Sequence, residues 1–121
     1  MNPKNYRDLE VWQLSMELAE EVYTVTSGFP SSELYGLTSQ IRRSAVSIPS
    51  NTAEGSGRRG KDYVRFVMIA LGSLFELETQ IELARRLNYI DNPTASRILQ
   101  TTSSIAQMLN KLRSSLLSRY S

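Results

Sequence analysis

Hydrophobic positions recur along most of this chain at alternating steps of three and four, the spacing that brings side chains onto one face of an α-helix. The pattern is cleanest in the second half. Tyr63, Val67, Ala70, Leu74, Leu77, Ile81 and Ala84 keep the alternation without a miss, and so do Ala95, Ile98, Thr102, Ile105, Leu109, Leu112 and Leu116. These stripes predict helices over 61–87 and 93–118. The second is opened by Asp91 or Asn92 ahead of Pro93, an N-cap followed by an early proline.

The first helix, predicted over 8–26, carries two stripes. One is Leu9, Trp12, Met16, Ala19 and Tyr23; the other is Val11, Leu14, Leu18, Val22 and Val25. Together they cover roughly 200° of the circumference, whereas an outer helix of a lone bundle needs little more than about 100°. The second stripe is therefore a candidate subunit–subunit contact, the alternative being deeper burial within its own subunit. Gly28, Phe29 and Pro30 end the helix, with Gly28 expected in the left-handed conformation. A further helix is predicted over 32–54, capped by Ser31 or Ser32 with Glu33 in its first turn, and burying Thr38, Ile41, Ala45, Ile48 and Thr52. Pro49 lies inside that pattern, so a kink or break is expected there. Small residues (Ser44, Ala45, Ser47, Ser50, Ala53, Gly55, Ser56, Gly57) let backbones approach closely along this segment. Short connections at Gly55–Gly60 and Asn88–Asp91 make consecutive helices antiparallel neighbours. The expected architecture is all-α, a single antiparallel up-down-up-down four-helix bundle over 1–121 with near-parallel axes.

Composition narrows the chemistry. A chain of 121 residues can bury one core unaided, and it contains neither cysteine nor histidine. That removes disulfides, thiolate nucleophiles, zinc sites of the usual ligands, histidine acid/base catalysis and the carboxylate–histidine sites of di-iron bundles. A non-enzymatic protein without cofactor or metal is expected. No apolar run approaches the roughly 20 residues of a membrane span, and Met1–Glu10 lacks the features of a secretory signal, so a cytoplasmic location is expected.

Charge is uneven although the net value is only +2. Residues 1–36 hold two basic and six acidic side chains, net −4, which leaves +6 for the remainder. Arg42, Arg43, Arg58, Arg59, Lys61 and Arg65 face only Glu54 and Asp62 in the stretch 42–65, and these six are the candidate nucleic-acid contacts. An ordinary solvated surface would explain the same residues.

Two patterns mislead. Gly55-Ser56-Gly57-Arg58-Arg59-Gly60-Lys61 matches glycine-rich nucleotide-binding patterns by letter. Those motifs need a β-strand ahead of the loop, and Asp62 stands where a P-loop requires a hydroxyl. The stretch reads instead as an interhelical turn whose basic residues could hold a nucleic-acid phosphate at a helix start. Glu76, Glu78 and Glu82 invite a metal or acid/base reading, but Glu76 and Glu82 point away from the core and Glu82 is spaced to pair with Arg85 and Arg86. Tyr6, Tyr35, Tyr63, Tyr89 and Tyr120 offer stacking surfaces, of which Tyr63 falls on a core stripe and the rest suit helix-end packing.

The segment from Gln40 to Gly55, with its Ser47-Ile48-Pro49-Ser50-Asn51-Thr52-Ala53-Glu54-Gly55 centre, resembles the signature of the bacterial four-helix bundle family encoded in intervening sequences of 23S ribosomal RNA genes. Phe66–Glu78 is similar to that family's third helix and Tyr6–Trp12 to its N-terminus; Thr52 stands where the family usually has isoleucine. The resemblance implies a homopentameric ring, which would use the spare apolar face of the first helix. A related protein, the accessory variability determinant of diversity-generating retroelements, is a basic pentamer that binds a reverse transcriptase and nucleic acid. The expected role is thus an oligomeric scaffold binding RNA or DNA, accessory to a reverse transcriptase or other protein. The alternative is a protein-only adaptor.

Overall fold

A computed structural model describes residues 5–120, with side-chain surroundings through residue 119; Pro3 and Lys4 lie outside the described residues, as does the side chain of Tyr120. A 3-10 turn at Tyr6–Asp8 leads into α1 (Glu10–Thr26), and a second at Ser31–Glu33 leads into α2 (Leu37–Arg58); α3 (Gly60–Arg86) and α4 (Asn92–Tyr120) follow. The described residues contain four α-helices and no strand.

Each helix packs on the next and α1 also packs on α4, while the backbones of the diagonal pairs stay more than 8 Å apart at Cα among the described residues. The pairings run antiparallel, because contacts advance along one helix as they recede along its neighbour. Between α2 and α3, Gly55 lies against Tyr63 and Phe66 while Ser47 meets Ser73, their hydroxyls 2.7 Å apart. Between α3 and α4, Thr102 donates to Glu78 at 2.7 Å, and Arg85 reaches Asn92 at 3.3 Å. One ion pair, Arg97 to Glu21 at 2.6 Å, crosses from α4 to α1.

The core is built from the expected stripes of three helices. Thr38, Ile41, Ala45, Ile48 and Thr52 of α2 are buried, as are Val67, Ala70, Leu74, Leu77, Ile81 and Ala84 of α3. On α4, Ala95, Ile98, Thr102, Ile105, Leu109 and Leu116 are buried, with Leu112 packed at the margin. Two buried threonines satisfy their hydroxyls within the helix: Thr52 donates to the Ile48 carbonyl at 2.8 Å and Thr26 to that of Val22 at 2.7 Å.

Helix α1 inverts the expected use of its stripes. Val11, Leu18 and Val22 of the supposed subunit contact are buried in the chain's own core, and Leu14 and Val25 pack against it. A side chain enclosed within its own subunit has no surface to offer a neighbour. The face left over is the other stripe, where Met16 is 40% and Tyr23 46% exposed. Periodicity shows that two adjacent stripes exist, but it carries no sign that says which points inward.

The punctuation of α2 also differs from expectation. Neither Ser31 nor Ser32 caps it; Glu33 reaches forward to accept the Leu37 N–H at 3.1 Å. The helix runs through Pro49 without interruption and ends at Arg58, so Gly55, Ser56 and Gly57 are helical. Gly55 is needed there, because a Cβ would come within 2.8 Å of the Phe66 Cβ and 3.1 Å of the Tyr63 ring. The whole connection to α3 is Arg59, with φ 65° and ψ 173°, followed by Gly60 at φ 63°. Gly28 is not left-handed. The left-handed helix end belongs to Asn88 (φ 64°), where Tyr89 donates to the Ala84 carbonyl at 2.9 Å and Asn88 to that of Arg85 at 3.0 Å, a Schellman motif. Asp91 caps α4 by accepting the Thr94 N–H at 2.8 Å, as its position predicts.

Candidate nucleic-acid interface

The six candidate cations fall into two groups. Arg42 and Arg43 stand near the start of α2, 16 residues before Arg58, about 24 Å along the helix axis at 1.5 Å per residue. Arg58, Arg59, Lys61 and Arg65 gather where α2 turns into α3, and all four are exposed.

Arg42 is committed to structure. Its Nε donates to the Thr26 hydroxyl at 2.8 Å, an Nη donates to the Tyr23 carbonyl at 3.3 Å, and the guanidinium lies 4.5 Å from the Tyr23 ring centre. It thereby supplies donors and positive charge to the last turn of α1, where carbonyls lack helical partners. Arg43 is exposed beside it.

At the α2–α3 end, Arg58 pairs with Glu54 at 2.9 Å and Arg65 stands 3.9 Å from Asp62. Both guanidiniums flank the Phe66 ring, at 5.2 and 4.9 Å from its centre. Arg59 and Lys61 make no ion pair among the described residues. Antiparallel packing brings the end of α4 to the same place, so that Arg119 joins the cluster and its charge acts on the Tyr63 phenol. Burial raises that phenol above its ordinary pKa, while a Ser56 hydrogen bond and Arg119 act the other way. Arg119 was not singled out from the sequence. The signal was available in the up-down order of the helices, which returns the C-terminus of α4 to the α2–α3 turn.

The carboxylates of α3 do not converge. Glu82 is held by Arg85 at 2.6 Å and Arg86 at 2.9 Å, and these hydrogen bonds draw its pKa down to about 2. Glu78 accepts from Thr102, and Glu76 is exposed. Among the described residues no cluster of three carboxylates could hold a metal ion, and no helix is long and apolar enough to cross a membrane.

Two apolar surfaces accompany the charge. The first is a groove of about 790 Å³ between α1 and α2, lined by Tyr6, Trp12, Met16, Tyr23, Val46 and Pro49 among others. Tyr6 stands edge-on to Trp12 at 5.2 Å. The second is the outer side of α3, where Met68, Phe75 and Leu83 are each about half exposed. Of the remaining tyrosines, Tyr89 packs on Phe29 with ring centres 5.4 Å apart, and Tyr35 is 94% exposed.

Comparison with known proteins gives a consistent fold. The chain is similar to a protein of unknown function from the S23 ribosomal protein family of Bacteroides thetaiotaomicron, known from a crystal structure; the TM-score is 0.76 at 25% identity, covering 85% of this chain and 97% of that one. No curated protein matches. The family model described as 23S rRNA-intervening sequence protein matches residues 7–111, which takes in α1 to α3, most of α4 and the Gln40–Gly55 signature, and the chain accordingly belongs to that family.

Proposed function

We propose that this chain is a non-enzymatic, self-assembling cytoplasmic scaffold whose α2–α3 end binds the phosphates of RNA or DNA. The observation that carries the reading is the convergence of Arg58, Arg59, Lys61, Arg65 and Arg119 at one end of the bundle, with Arg59 and Lys61 exposed and without a carboxylate partner among the described residues. Cations on a rigid helical end suit a polyanion better than a small ligand, which would need an enclosing pocket.

Self-assembly is supported by the two apolar surfaces, which lie on different helices. Closed rings join unlike surfaces, one subunit's patch fitting a different patch on the next. The α1–α2 groove and the exposed Met68, Phe75 and Leu83 of α3 suit such a pairing. A pentamer is the proposed assembly, and in a ring each basic end is repeated, so that weak phosphate contacts add through avidity.

Salt titration tests the nucleic-acid reading. Binding of single- and double-stranded RNA and DNA should weaken steeply with salt, and the triple variant Arg58→Ala/Arg59→Ala/Lys61→Ala should reduce the log–log slope by about 2–3 per engaged subunit. Equal slopes for wild type and variant would remove the proposal. The apolar groove favours a second reading, a protein-only adaptor that docks a helix of a polymerase or other partner. A complex that survives nuclease and high salt, but not Trp12→Ala, would select it.

A further inference from the structure

We infer that the α2–α3 turn is a strained hinge through which two copies of this chain exchange halves, the α1–α2 hairpin of each packing on the α3–α4 hairpin of the other. Arg59 is the entire connection between helices of 22 and 27 residues, and its φ 65°, ψ 173° lies in a region that essentially only glycine occupies comfortably. Helical hydrogen bonding runs up to this residue and resumes from it: Arg59 donates to the Gly55 carbonyl at 3.1 Å, and Tyr63 donates to the Arg59 carbonyl at 3.2 Å. Straightening the turn would return Arg59 to an ordinary helical conformation. It would also pair the N–H groups of residues 60, 61 and 62 with the carbonyls of 56, 57 and 58, merging α2 and α3 into one rod.

Little else resists the exchange. Gly57 and Gly60 have nothing within 4 Å of the position a Cβ would take, so neither glycine is held at the turn by a close neighbour on that side. The tight contact of Gly55 with Tyr63 and Phe66 would open within one chain. Every other α2–α3 contact, including the Ser47–Ser73 hydroxyl pair, re-forms between chains because the two hairpins keep their faces. The α1–α4 seam, with its Arg97–Glu21 pair, is likewise restored across the dimer. Two terms oppose exchange: the poor helix propensity of Gly60, which leaves φ 63° for a helical conformation, and the translational entropy of joining two chains. A short connection under strain is the arrangement that invites swapping.

The chain has no cysteine, which permits a direct test. In a Ser47→Cys/Ser73→Cys protein the two thiols face each other across α2 and α3. Oxidation then links residues of one chain in the closed bundle, within a ring or outside it, and residues of two chains in the exchanged pair, a form set apart from a five-membered ring because it uses chains two at a time. After refolding from denaturant over a range of chain concentrations, non-reducing gels should show covalent dimers that increase with concentration. Adding Arg59→Gly, which removes the strain, should lower the dimer fraction several-fold; adding Gly60→Ala, which strains the closed turn at φ 63° and favours the continuous rod, should raise it. Single-chain bands at every concentration without hinge substitutions would overturn the proposal, as would a dimer fraction that Arg59→Gly leaves unchanged.

Discussion

Gly55 shows how one atom sets the spacing of two helices. Its hydrogen occupies the site where a methyl group would press on the Cβ of Phe66 and the ring of Tyr63. Gly55→Ala is therefore expected to destabilise the bundle by about 1–3 kcal/mol, the usual cost of overpacking, despite alanine's better helix propensity. Urea unfolding followed by circular dichroism reads this directly. At Asn88 the sign reverses. That residue holds φ 64° at the left-handed position of a Schellman motif, where glycine is favoured, and Asn88→Gly should stabilise by a few tenths of a kcal/mol to about 1 kcal/mol in the same assay. Neither position could be assigned these roles from the sequence. Gly55 reads as part of a turn because glycine breaks helices and also permits close packing, and only the neighbouring helix tells which use applies.

Among the helices, the ends are tied by carboxylates. Glu33 accepts from the Leu37 N–H at the start of α2 and, through its other oxygen, from the Tyr89 hydroxyl at 2.8 Å, joining the α1–α2 and α3–α4 connections. The Leu37 and Tyr89 hydrogen bonds lower the Glu33 pKa, the Thr94 contacts lower that of Asp91, and Arg85 and Arg86 hold Glu82 at about 2. Groups whose folded pKa lies below the unfolded value stabilise the native state at higher pH, and that contribution fades as pH falls through the folded pKa. The melting temperature should thus hold above about pH 4.5 and decline toward pH 2, and Glu82→Gln should flatten the lowest part of the decline. Legibility at this scale followed periodicity. The stripes of α3 and α4 are unbroken, so the core residues could be named in advance. On α1 two faces compete, and which one is inward depends on how α2 and α4 sit against it. Expected boundaries failed at both ends of α2, where Glu33 caps from four residues ahead of Leu37 and Gly55–Gly57 remain helical.

For the molecule as a whole, two apolar surfaces on different helices carry the expectation of assembly. Met16→Asp in the α1–α2 groove or Phe75→Asp on α3 should each convert a ring into smaller species in sedimentation velocity, with helical content unchanged. Both side chains stand at the surface, Met16 at 40% and Phe75 at 54% exposure, so the substitutions leave the core intact. The candidate basic site was legible as a stretch of residues but not as a place. Linear proximity joined Arg42 and Arg43 to the α2–α3 cluster, although the helix separates them; the same linear view left out Arg119, which the fold brings in from the far end of the chain.

Among the four helices, every closely packed pair is adjacent in sequence except α1 with α4. During synthesis the first three helices can therefore zip together one after another as they emerge, a sequence of local steps that folds quickly. The flanks of α1 and α3 that await α4 stay wet meanwhile. At cellular elongation rates the 29 residues of α4 take roughly 2–6 s to make. A nascent chain arrested before Asn92 should accordingly present Leu18, Leu77 and Ile81 as a sticky trough, open to chaperones until the last helix seals it.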